Sequence, residues 1–155
     1  MSNSADDAAA LFKQGFNCAQ SVLATCGARF GLERDLALRL AGSFGGGMGH
    51  MGEVCGAAAG AFMVIGLKYA FTDQRDLVAK QKGIDLVREF TRRFKQRNGS
   101  IICREVLGYD LSTPEGMQKA RDSGVFDTVC ARMVRDAAEI LDDLFPDSKE
   151  AQTDG

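Results

Sequence analysis

Five cysteines, at positions 18, 26, 55, 103 and 130, are the side chains of this 155-residue sequence best suited to chemistry. Their surroundings set four of them apart. Cys18 follows the N-cap signal Asn17 with Gln20 three residues on, Cys55 opens a run of small residues, Cys103 stands three residues past Ser100, and Cys130 three past Asp127. Each is expected in the first turn or so of a helix, where free backbone N–H groups and the dipole favour negative charge. A thiol whose pKa is roughly 8.5 in the open drops by about a unit or more in such a place. Cys26 falls instead at a helix end on an apolar face and is assigned to the core.

Spacing then narrows the kind of site. No C-x-x-C occurs, which removes a thioredoxin-like dithiol and a zinc knuckle of paired cysteines. A site built from Cys18, Cys55, Cys103 and Cys130 has to be assembled from distant parts of the chain. An iron–sulfur cluster and zinc both allow that. Four converging thiolates repel one another unless a cation is present, so the first expectation is a metal centre, iron–sulfur before zinc, that passes single electrons. The alternatives are thiol/disulfide cycling of the same cysteines, with Cys55 as the most approachable nucleophile, and a structural or sensory module with zinc or no metal. His50, the sole histidine, offers a base or a ligand near Cys55, but a Cys–His hydrolase has no evident third group to orient it. Whether the protein is an enzyme is left open.

Seven of the 18 glycines lie between Gly45 and Gly60, a local density that signals positive φ or close backbone approach. Gly45, Gly46, Gly47, Gly49 and Gly56 are expected to surround whatever the cysteines hold. Gly47, Gly49 and Gly52 also have the spacing of a dinucleotide loop, with Asp73 about 20 residues on. That fingerprint requires a preceding strand, whereas 34–44 reads as helix. No nucleotide is expected.

The elements that must position these residues read as helices throughout. Ser4 or Asp6 caps a first helix to about Lys13, with Ala8, Leu11 and Phe12 inward. A second runs from Cys18 to Gly27 and buries Ala19, Val22, Leu23 and Cys26. The 34–44 helix repeats Leu36, Leu40 and Phe44. From Val54 to Tyr69 apolar residues run nearly all round, as in a buried central helix. Thr72 or Asp73 caps the longest helix, about 74–97, with Leu77, Ile84, Val87, Phe90 and Phe94 inward. Ser100 caps a short helix carrying Cys103, and Thr113-Pro114 opens another. Asp127 caps the last, in which Cys130 is the third residue and Met133, Ala137, Ile140, Leu141 and Leu144 form the core stripe. The pattern predicts an all-α, single-domain helical bundle over 1–146 with a central small-residue helix, and a disordered polar tail at 147–155.

Composition excludes further classes. A net charge of -2 gives no basic footprint, so no nucleic acid is expected. The longest apolar run, Cys55 to Leu67, is too short to span a bilayer, and the N-terminus lacks a secretory signal. A cytoplasmic protein with reduced, metal-bound or catalytic cysteines is expected. The arginines of the longest helix are assigned to a solvated face.

Gly15-Phe16-Asn17-Cys18-Ala19-Gln20, the glycine loop with Cys55-Gly56-Ala57-Ala58-Ala59-Gly60, Cys103-Arg104-Glu105-Val106-Leu107-Gly108 and Cys130-Ala131-Arg132-Met133-Val134 together resemble a family of small bacterial and archaeal redox-active proteins (C_GCAxxG_C_C). That family is marked by four cysteines and a glycine-cysteine-alanine motif. The resemblance implies an all-helical domain, Cys18, Cys55, Cys103 and Cys130 as the family cysteines, and a redox role. It also implies association with a transport system. Related domains are attached to multihaem proteins, but this chain has no C-x-x-C-H, so a separate redox partner protein is implied. The oligomeric state, including a homo-oligomer, is left open.

Overall fold

Small side chains decide how the chain packs. The computed structural model describes residues 3–146, in which all regular structure is helical except one isolated antiparallel bridge between Val54 and Ile102. The helices are α1 (Ser4–Lys13), α2 (Cys18–Gly27), α3 (Arg34–Ala41), α4 (Gly56–Tyr69), α5 (Leu77–Asn98), α6 (Cys103–Leu107), α7 (Pro114–Ser123) and α8 (Ala131–Leu144). A 3-10 turn at Ala28–Phe30 extends α2, and a π-helical turn at Phe126–Cys130 runs directly into α8. No described helix is long and apolar enough to cross a membrane. The expected tail lies outside the described residues.

α4 is the central element, as its composition predicts. Gly56 through Ala61 are all buried, as are Val64 and Ile65. Its closest neighbour is α2, and two glycines four residues apart set the distance. A Cβ on Gly60 would lie 2.9 Å from the Ala19 carbonyl oxygen, and one on Gly56 would lie 3.1 Å from the Ala19 nitrogen. Any side chain at either position would push the two helices apart. α1 packs on α2 and α8, and α5 closes the bundle against α4 and α8. There Phe90 stacks on Phe94 with centroids 5.6 Å apart and meets the edge of Phe62 at 5.8 Å. Each such aromatic pair contributes about 0.5–1.5 kcal/mol beyond its buried area.

The structure corrects several boundaries. Asn3, not Ser4 or Asp6, caps α1, its side chain accepting from the Asp6 N–H at 2.8 Å. α3 stops at Ala41, and the residues it buries are Ala37 and Ala41, while Leu36 and Leu40 are 46% and 53% exposed. The four-residue repeat of leucines points outward here, and Ala37, Ala41 and the half-buried Leu38 face the core instead. α4 begins at Gly56, with Cys55 as its N-cap. α5 begins at Leu77, capped by Asp76, because Asp73 is engaged by Arg75. Its first turns stand off the bundle, leaving Leu77 and Ile84 exposed, and only Phe90 and Phe94 are buried. Ile102 occupies the N-cap of α6, and Ser100 supports it by accepting the Ile102 N–H at 2.9 Å. Asp127 does not cap the final helix but lies inside the π turn.

Candidate functional site: a cavity lined by four thiols

Backbone hydrogen bonds position two of the cysteines. The Cys55 N–H donates to the Ile101 carbonyl at 2.7 Å and the Cys103 N–H to the Glu53 carbonyl at 2.6 Å, either side of the Val54–Ile102 bridge. The two cysteine segments are thereby clipped together. Gly47 packs against the clip: its carbonyl accepts the Glu53 N–H at 2.9 Å, and a Cβ on it would fall 2.6 Å from the Cys103 Cβ. Gly47 also has φ +70°, as glycine readily allows.

Cys18 is set by a capping box. The Asn17 side chain accepts the Gln20 N–H at 2.8 Å, and the Gln20 side chain accepts the Asn17 N–H at 3.0 Å. Asn17 also donates to the Gly42 carbonyl, and a Cβ on Gly45 would strike its side chain at 2.7 Å. Cys130 closes the π turn. The expected first-turn position is therefore not observed, because the helical stretch begins ahead of Asp127 and carries Cys130 further in.

Cys18, Cys55, Cys103 and Cys130 all line one cavity of about 420 Å³. Gly46, Gly47, Gly56 and His50 line it as well, whereas Gly45 and Gly49 do not. Cys26 lies elsewhere, 1% exposed in the core. The remaining walls are apolar, including Phe12, Phe16, Leu107, Leu111 and Phe126, and Lys13 and Arg121 stand at the exposed rim. The sequence carried no signal for these rim residues, because only the tertiary fold brings them to the thiols. Met133 did carry one, three residues past Cys130 on the same helix. It accepts the Cys55 thiol at 3.7 Å.

The acidities reverse the simplest expectation. Burial pushes Cys103 up to about 12 and Cys55 up to about 11, the first-turn N–H groups of Ala57 and Ala58 only partly opposing the latter. Cys18 is also raised, through its hydrogen bond with Cys130 and then through burial. Only Cys130 is lowered, and the cause is the Cys18 thiol, which donates to it; burial and Asp127 act in the other direction. Desolvation outweighs the helix dipole wherever the helix start is covered. Cys55 is thus no exposed nucleophile: at 2% it is the least accessible of the four, against 9% for Cys18. Burial thus disfavours the thiolate at Cys18, Cys55 and Cys103, and of the four only Cys130 is shifted toward it.

Among the described residues, no three His, Cys, Asp or Glu side chains are grouped so as to hold a metal ion. Glu53 turns outward to Arg104, with 3.2 Å between charged atoms.

The all-α bundle thus brings four cysteines from distant parts of the chain to one cavity. The model of the family described as "Putative redox-active protein (C_GCAxxG_C_C)" matches residues 16–144, and the chain belongs to that family. No curated protein and no solved structure matched the chain. The family signature reads G-C-A-x-x-G where this chain reads C-G-A-x-x-G. A Cβ at position 56 would lie 3.2 Å from the Cys18 Cβ, so the fold here has little room for a side chain at that position.

Proposed function

We propose that the protein is a dithiol/disulfide exchange protein in which Cys130 is the nucleophile and Cys18 the resolving thiol. The observation that carries this reading is that Cys18 and Cys130 line one cavity, where each perturbs the acidity of the other, Cys18 upward and Cys130 downward. The Cys130 thiolate attacks one sulfur of a disulfide R–S–S–R, forming a mixed disulfide and releasing the other sulfur as a thiolate. The Cys18 proton passes to that leaving thiolate. The Cys18 sulfur then attacks Cys130, closes the Cys18–Cys130 disulfide and frees the second thiolate, which takes a proton from water. Two electrons leave the protein, and a dithiol reductant restores it by the reverse steps. Cys55 and Cys103 remain protonated and so place no second negative charge beside Cys130. A reducing cytoplasm, with a separate partner as electron source, suits such a cycle.

A second reading, an iron–sulfur cluster on Cys18, Cys55, Cys103 and Cys130, is favoured by one observation, that all four line a single cavity. One preparation tests both. Protein purified without oxygen is analysed for iron, sulfide and zinc, then reduced, oxidised with a small disulfide and mapped by mass spectrometry. The dithiol reading expects a Cys18–Cys130 link, two electrons per chain and an unmodified Cys26. Stoichiometric iron and sulfide, or oxidation that spares Cys18 and Cys130, would overturn it. Cys26→Ala is expected to leave the electron count unchanged and to lower stability by about 1 kcal/mol.

A further inference from the structure

We propose that the substrate of this cavity is a small disulfide bearing carboxylate groups, held at the rim by Lys13 and Arg121. The inference rests on the dithiol reading and names what reaches the thiols.

Access decides the size. Cys130 is 5% exposed and Cys18 9%, so both sulfurs lie at the floor of the cavity. A disulfide on the face of a folded partner cannot descend to them, whereas a slender molecule can. A volume of about 420 Å³ also falls toward the lower end of small-molecule sites.

Charge decides the chemistry. The floor and walls are apolar or neutral, and ionic side chains occur only among the exposed lining residues. Lys13 ends α1 and Arg121 lies in the last turn of α7, so two unconnected helices bring cations to the same opening. Among the described residues, neither has a carboxylate within ion-pair distance. Asp127 is the single acid on the lining, leaving the rim net positive. An anionic disulfide is intrinsically repelled by the thiolate that attacks it. A rim that places carboxylates on Lys13 and Arg121 offsets that repulsion and aims the S–S bond at the apolar floor. The exchange is that of the preceding section: the substrate S–S bond breaks, Cys18 and Cys130 become a disulfide, and two carboxylate-bearing thiols leave.

The test measures oxidation of reduced protein at low ionic strength by three disulfides of similar length: 3,3′-dithiodipropionate (dianionic), bis(2-hydroxyethyl) disulfide (neutral) and cystamine (dicationic). The expected order is anion, neutral, cation, with the anion about tenfold faster than the neutral compound. The variant K13Q/R121Q is expected to lose that advantage, read as the ratio of its rate with the anion to its rate with the neutral disulfide, with circular dichroism reporting correct folding. Equal rates for all three, a faster cation, or an anion preference that survives in K13Q/R121Q would overturn the substrate assignment and leave the dithiol reading intact. Failure of the neutral disulfide to link Cys18 with Cys130 in the wild type would instead overturn the dithiol reading, and the assignment with it.

Discussion

At the scale of single residues, the chemistry turns on which sulfur keeps its proton. Interaction with Cys18 favours the Cys130 thiolate, so removing Cys18 has a definite sign. A lowered pKa keeps the thiolate populated at lower pH; Cys18→Ala withdraws that support, and the titration must move toward higher pH. Site-resolved alkylation of Cys130, followed against pH, is expected to show its midpoint move to higher pH in Cys18→Ala. An unmoved midpoint would show that Cys18 does not hold the thiolate. The expected helix-start positions singled out Cys18, Cys55, Cys103 and Cys130, which the fold brings to one cavity even though Cys130 ends a π turn, while Cys26 lies apart in the core. Their acidity was not legible, because the dipole argument presumes a helix start open to water. Here Cys55 and Cys103 are covered by the elements they join, and burial dominates.

At the scale of elements, the glycine loop acts as a rigid clip. Gly47 and Gly49 both have positive φ, at +70° and +55°, so alanine at either strains the backbone alike. Their surroundings differ: a Cβ at Gly47 meets Cys103 at 2.6 Å, while at Gly49 the nearest atom is 3.9 Å away. Gly49→Ala is expected to cost about 1–2 kcal/mol. Gly47→Ala adds displacement of the Cys103 segment and is expected to cost at least about 3 kcal/mol. Urea midpoints at unchanged slope would measure both, and equal losses would mean that the clip yields freely. The central small-residue helix was readable because only tight packing explains Gly56 and Gly60 four residues apart. The outward leucines of α3 and the loose start of α5 were not. Periodicity identifies an apolar face without saying which of its residues the neighbouring helix covers, and in α3 the fully covered ones are Ala37 and Ala41.

At the scale of the molecule, the proposed disulfide has a property that neither helix carrying it has alone. Cys18 stands at the start of α2 and Cys130 just ahead of α8, so their union turns most of the chain into a closed ring of about 110 residues. Loop-closure entropy assigns such a ring about 4.7 kcal/mol of stability over the open chain. The melting temperature of the oxidised protein is therefore expected to exceed that of the reduced protein by on the order of 10 °C, measured by calorimetry on the two forms. An equal or lower value would mean that the fold must distort to close the ring. Thermodynamic reciprocity carries the same free energy into electrochemistry. If ring closure steadies the fold by that amount, the fold must hold the ring shut by the same amount, which corresponds to a potential about 100 mV more negative than that of the same pair in the unfolded chain. The bundle that brings α2 and α8 together is in this sense a reservoir of reducing power, and any change that loosens it makes the protein a weaker reductant before it makes it an unfolded one.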